Sequence, residues 1–306
     1  MPLVAPIGHL VLDDLDECLH GAARKINRAA DLATEVKQMC LVAAKDNKEI
    51  DLEYQQLNGK KEHVWRLREP MMCDPQVPTV LGDAVHNYRT ALDHLAWSLV
   101  KLAHFNPSVK TFFPVKEVEP REGRDNITID ERIRPTDSIN AYVQSVQPFV
   151  TYPDYGYFAP IAQLHRLDLA DKHRVLLVSV VALDYATFVS DPGIEVRSLS
   201  YGGSLSAGSI VMRGYTTEPA DLSEGKARLT VRLKDAHYRV DGEGNEIADA
   251  PPYRLEVVDF LSSVHPEVSE IVQGANALFV ARHAHTGQGE LAHFEKYSDG
   301  TWQGIK

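Results

Sequence analysis

Apolar residues recur at steps of three and four along two stretches of the first third of the chain, which is the pattern of an amphipathic helix. The first stretch runs from Leu12 to about Lys45. The second runs from about Val80 to His104, and Thr79 stands where it would cap the first turn. The same spacing predicts three further helices, near Ser138–Gln147, Phe158–Lys172 and Pro266–Ala284.

A two-residue alternation of apolar and polar positions surrounds Asn58-Gly59 and predicts a β-hairpin within residues 49–68, because this dipeptide favours a tight turn. From Arg174 onward, β-branched runs are separated by Gly, Pro, Asp and Ser, which favours an antiparallel sheet or sandwich. We therefore predict an α+β fold. Residues 1–173 would form a helical bundle with the inserted hairpin, and residues 174–306 a β-rich region ending in a long helix that packs on the bundle.

The composition narrows the range of partners. The chain has 306 residues and a formal charge of -11, from 43 acidic against 32 basic side chains. This balance disfavours duplex DNA, which needs many neutralised phosphates, but it allows a local phosphate site. The three cysteines are widely spaced and indicate reduced thiols. No basic segment precedes a long apolar run, so we expect a cytoplasmic protein that does not enter membranes.

The candidate chemistry lies on the second predicted helix. His86, Arg89 and Asp93 share one sector beside its apolar seam, where partial burial would let them bind an anion or move a proton. Asn87 and His94 lie further round the helix. The alternative is structural, because Arg89 and Asp93 at this spacing form a common ion pair that needs no ligand.

A second polar group lies near the end of the helix predicted at Phe158–Lys172. His165, Asp168 and Lys172 share one side of it, and Asp171 and His173 are adjacent. With the first group they could line one polar cleft. Alternatively, the cations favour the helix end through its dipole and Asp168 pairs with Lys172.

The segment from Arg89 to His94 resembles the Arg-x4-His signature of HEPN-type helical proteins, many of which are metal-independent ribonucleases in RNA processing, toxin systems or phage defence. The resemblance implies RNA as substrate, a homodimer, and no metal or cofactor. Arg89 would hold the phosphate and His94 would transfer protons, with His86, Asn87, Asp93, Asp171 and His173 in support. On an ideal helix, however, Arg89 and His94 are about 140° apart, so a second subunit would complete the site.

The longer segment LGDAVHNYRTALDHLAW also resembles a segment in bacterial proteins of unassigned function that carry a later Asp-Lys-His-Arg string, which here is residues 171–174. This resemblance implies no activity. Two other functions stay open at this point. One is a non-catalytic binding or interaction protein with a structural polar cluster. The other is a helical-bundle metal hydrolase, although the sequence contains no His-Glu-x-x-His string.

Overall fold

A computed structural model describes most of the chain. The described residues are 5–45, 50–57, 60–67, 74–119, 127, 129–133, 137–153, 156–173, 179–189, 195–199, 210–216, 224–233, 256–284, 293–296 and 302–305. The turn predicted at Asn58-Gly59 lies outside them, as does Cys73.

Six α-helices are present in the described part of the chain. They are α1 His20–Lys45, α2 Val77–Leu102, α3 Ser138–Ser145, α4 Pro148–Thr151, α5 Pro160–His173 and α6 Val257–Ala284. Helix α1 begins later than its apolar pattern, because two short 3-10 turns precede it and Asp16 caps the second of them. Helix α2 begins before Thr79, since Pro78 fits a first helical turn.

The hydrophobic core lies between these helices. Helix α1 packs along α2, and both contact α6, while α5 packs against α2 and α6. The largest fully buried side chains come from the 3-10 turn before α1, from α1, α2, α3 and α6, and from the segment that follows α2; they are Leu19, Ile26, Leu81, Tyr88, Leu92, Leu95, Leu99, Phe113, Ile139, Phe260 and Phe279. Helix α6 starts ahead of the predicted Pro266, because the buried apolar spacing continues on both sides of that proline.

Within the described residues the strands form three antiparallel sheets of different sizes. The first contains four strands in the order β1 (Ile50–Leu57), β2 (Lys60–Leu67), β5 (Ile210–Thr216) and β4 (Glu195–Leu199). The other two are pairs of strands, namely β3 (Ser179–Val189) with β6 (Glu224–Leu233), and β7 (His293–Lys296) with β8 (Trp302–Ile305).

The predicted α+β fold class is wrong. Where the structure describes side chains, 72% of residues are helical, and Val64 is the only strand residue among them. The hydrophobic core in this part is made by helices, without a sheet or sandwich layer. The β-branched runs predicted strands from local preference, but that preference does not determine whether strands join the core. The proposed division at residue 173 stays a prediction.

No helix in the described ranges is both long enough and apolar enough to cross a membrane.

Candidate functional site

On the side of α2 that faces the Phe113 loop, here called the inner side, the buried Arg89 and the partly exposed Asp93 form an ion pair that holds this loop; we call the arrangement the clip. The guanidinium Nη2 of Arg89 donates to the Phe113 carbonyl at 2.7 Å and lies 3.0 Å from Asp93 Oδ1. The same Asp93 oxygen accepts the Phe113 backbone N–H at 3.0 Å. Both polar groups of one buried backbone unit are thus satisfied by two side chains one helical turn apart. The Arg89 side chain is only 5% exposed.

Burial disfavours the charged forms of Arg89 and His165 on the inner side. Burial lowers the pKa of Arg89, while Asp93 and Asp168 act in the opposite direction. Burial, together with the positive charge of Arg89, lowers the pKa of His165 to about 4, so its imidazole is neutral at pH 7. Within the described structure, Arg89 Nη1 and His165 Nδ1 are buried without a hydrogen-bond partner.

A histidine–carboxylate pair links α2 to α5. Nδ1 of His86 lies 3.2 Å from Asp168 Oδ1, and Lys172 Nζ donates to Asp168 Oδ2 at 2.7 Å. The carboxylate is buried, with 4% exposure, whereas the His86 side chain is 50% exposed. When the bond to Asp168 holds the proton on Nδ1, Nε2 carries a lone pair, and the Thr90 hydroxyl lies 3.4 Å away from it. In this tautomer the pair presents an unprotonated ring nitrogen near solvent.

Helix α1 borders the other side of α2. The His94 imidazole lies against Gly21, where an added Cβ would be 2.8 Å from Nδ1. One helical turn along, Lys25 Nζ donates to Asn87 Oδ1 at 3.3 Å, and Asn87 donates to the Asp83 carbonyl. These contacts show that the side of α1 carrying Gly21 and Lys25 faces α2, along the groove between the two helices.

A solvent-facing strip of α2 lies between its contact with α5, at His86, and its contacts with α1, at Asn87 and His94. We call it the outer face; its residues are Asp83, His86, Asn87, Thr90, His94, Trp97 and Lys101. They occupy a sector of about 100° on an ideal helix, and none of them is buried. The Trp97 indole is 42% exposed. Arg89 points away from this sector, into the contact with Phe113.

The two residues predicted to be catalytic have different surroundings. The Arg89 side chain is buried and bonded to Asp93 in the clip, whereas the His94 side chain is exposed to solvent beside Gly21. One copy of the chain does not bring them together, so their joint action stays a prediction that requires a second subunit.

The supporting residues are divided in the same way. His86 and Asn87 belong to the outer face, and Asp93 to the clip. The Asp171 carboxylate lies against α2, where a Cβ added at Gly82 would be 2.9 Å from Oδ1. Helix α5 ends at His173, whose side chain lies outside the described residues.

The sequence analysis missed three groups near the candidate site, namely Trp97, Lys25 and the Phe113 carbonyl. A helical projection of α2 would have placed Trp97 with His86, because their spacing of eleven residues is close to three turns. Nothing local indicates the carbonyl, which comes from a loop 24 positions away.

In the described ranges, no group of three or more His, Cys, Asp or Glu side chains is arranged to hold a metal ion. Comparison with known proteins gives no family assignment: no family model, no curated protein and no solved structure matches the chain.

Proposed function

We propose that this protein cleaves single-stranded RNA without a metal ion, with His86 as general base and Asp168 as the residue that orients it. The observation that carries the proposal is the bond between the half-exposed His86 and the buried Asp168. A carboxylate behind one imidazole nitrogen fixes the tautomer and the orientation of the ring, so that the other nitrogen is free to accept a proton. The resemblance of the Arg89–His94 segment to HEPN-type ribonucleases supports the choice of RNA.

The chemistry balances with one base and solvent. Nε2 of His86 takes the proton of a ribose 2′-hydroxyl, and the oxygen attacks the adjacent phosphorus. The new 2′-O–P bond forms as the bond from phosphorus to the 5′-oxygen breaks, and that oxygen takes a proton from water. The imidazolium of His86 then gives its proton to the hydroxide that remains, which regenerates the base. The products are a 2′,3′-cyclic phosphate and a 5′-hydroxyl. The Thr90 hydroxyl, close to Nε2, stands where the 2′-hydroxyl would approach.

Arg89 has a structural role in this proposal. Its guanidinium holds Asp93 and the Phe113 carbonyl rather than a phosphate. His94 lies eight residues beyond His86, a rise of about 12 Å along the helix, so the two imidazoles are too far apart to share one phosphate. His94 would instead contact a neighbouring part of the strand.

The test is cleavage of a 5′-labelled single-stranded RNA by purified protein in EDTA. We expect products ending in a cyclic phosphate and no cleavage of the DNA oligonucleotide of the same sequence, which lacks the 2′-hydroxyl. His86→Ala should reduce the rate about a hundredfold or more, the usual contribution of a general base. Asp168→Asn should reduce it in the same direction, because the amide no longer stabilises the imidazolium.

His9 provides a matched control. It makes the same kind of bond, with Nε2 2.9 Å from Asp31 Oδ1, but that carboxylate is 53% exposed. His9→Ala should leave cleavage unchanged. An inactive wild-type protein, or equal rates for wild type and His86→Ala, would remove the proposal.

A second candidate, a non-catalytic binding or interaction protein, is favoured by one observation. Arg89, the phosphate-holding residue that the resemblance implies, is buried and bonded within the chain. Under this alternative the polar cluster only joins elements of the fold. Arg89→Ala lowers stability under either function, so the result that distinguishes the alternative is that purified wild-type protein cleaves no RNA.

A further inference from the structure

We infer that the outer face of α2 is a track for single-stranded RNA, on which the Trp97 indole stacks a base and helix α1 supplies cations to the backbone. The inference deepens the proposed function, on which it rests for the choice of RNA, by naming a substrate-binding residue remote from His86.

The first support is the exposure of Trp97. Its side chain is 42% exposed on a helix that is otherwise deeply buried through Leu92, Leu95, Ala96 and Leu99. A large indole left in solvent loses the free energy that burial would provide. Stacking under a nucleobase is a use for such a ring, and it tolerates every base.

The second support is the charge along the neighbouring edge of α1. Gly21 and Lys25 face the groove above α2, as their contacts with His94 and Asn87 show. Arg24 and Arg28 lie within one helical turn of them and are exposed. In the described structure none of the three cations is paired with a carboxylate.

The charge at the Trp97 end of this surface is mixed. Lys101 adds a cation beyond Trp97, and the carboxylates of Asp16 and Glu17 lie near it around Cys18, whose carbonyl accepts the Ser98 hydroxyl. The carboxylate of Asp93 is paired with Arg89, and that of Asp168 with Lys172. This leaves Asp83 as the unpaired carboxylate of the outer face. In a chain of charge -11, a local basic strip beside an exposed aromatic ring matches a polyanion with bases.

The dimensions suit a short strand. Trp97 lies eleven residues from His86, a rise of about 16 Å along the helix. A base stacked on the indole would therefore be a few nucleotides from the ribose at His86, with Thr90 and His94 between them. Trp97 would act on substrate affinity and leave the proton transfer unchanged.

The experiment measures binding of a labelled single-stranded RNA to the His86→Ala protein, so that cleavage does not interfere. Adding Trp97→Ala should raise Kd about tenfold, the usual effect of losing one stacked base. Trp97→Phe should retain most of the affinity. Arg24→Ala and Arg28→Ala should each reduce the slope of log K against log salt by about 0.7, as expected when one phosphate contact is lost.

Tyr152 is the matched control, because it is a 39% exposed aromatic residue in the acidic surroundings of Glu267 and Glu270. Tyr152→Ala should not change RNA affinity. In proteins that retain His86, Trp97→Ala should raise KM and leave kcat near the wild-type value.

RNA binding that Trp97→Ala leaves unchanged would overturn the inference, and it would spare the proposed function if His86 were still needed for cleavage. RNA binding that depends on Trp97, in a wild-type protein that does not cleave RNA, would support the inference and contradict the proposed function. If Trp97→Ala instead converts a dimer to a monomer in size-exclusion chromatography, without affecting RNA, then the indole covers a second copy and the inference is wrong.

Discussion

The inner and outer sides of α2 carry similar residue types in opposite settings. On the inner side, Arg89 and Asp93 hold the backbone N–H and carbonyl of Phe113, and the guanidinium is shielded from solvent while the Asp93 carboxylate is partly exposed. On the outer side, His86 has a buried carboxylate behind it and open solvent before it. The comparison shows that the partners brought from other elements, rather than the residue types, determine whether a polar side chain is structural or available to a ligand.

Loss of the Arg89 side chain should produce the largest effect. Arg89→Ala leaves the buried Phe113 carbonyl without its donor and Asp93 without its cation, so we expect the free energy of unfolding to fall by about 3 kcal/mol. Urea denaturation measures this change.

Arg132 makes the comparison sharper, because it also binds an aspartate and a backbone carbonyl, those of Asp130 and Asn106, but it is exposed. Arg132→Ala should lower stability less than Arg89→Ala, because water can reach the 47% exposed guanidinium and replace it at Asp130, whose own side chain is 10% exposed. Equal losses for the two variants would contradict the distinction between the buried and the exposed guanidinium.

The next effect is a pH dependence from His165. Its pKa in the folded protein is lowered to about 4 from 6.5. Between pH 6.5 and pH 4 His165 is protonated in the unfolded chain but neutral in the folded chain. The free energy of unfolding therefore falls as the pH falls from 6.5 toward 4. His165→Gln removes this contribution, which is on the order of 2 kcal/mol. Denaturation curves of both proteins at pH 4, 5, 6 and 7 would show a constant difference if the account of His165 were wrong.

Two glycines should give the smallest effects, with opposite signs. Gly21→Ala meets the exposed His94 ring, which can move aside, so the helix gains up to about 1 kcal/mol from the better helix former. Gly82→Ala meets the partly buried Asp171 carboxylate and should lose about as much. Thermal unfolding of the two variants measures the difference, and the same sign for both would refute it.

The helices could largely be predicted from the sequence, because their apolar periodicity is local. The spacing of Val85, Leu92 and Leu99 is sufficient to identify α2 and its buried side. The ends were less predictable: α6 begins at Val257 because the packing of Phe260 and Val264 outweighs the one hydrogen bond lost at Pro266.

The candidate site was only partly predictable. The side chains of His86, Arg89 and Asp168 could be selected by type and spacing, but their pairing could not. Asp168 joins His86 across 82 positions, and the Phe113 loop covers Arg89 across 24. Such contacts depend on tertiary packing, which helical spacing does not contain. The same limit explains why the β-branched runs from Arg174 onward were interpreted as an antiparallel sheet or sandwich and the whole chain as α+β.

The most direct test of the account is an NMR titration of the isotope-labelled His86→Ala protein with single-stranded RNA. We predict that the Trp97 indole N–H and the Thr90 and His94 signals shift with RNA, while the Arg89 side-chain N–H signals stay in place. Shifts at Arg89 without any at Trp97 would contradict the account, because RNA would then bind the inner side of α2, which packs against the Phe113 loop.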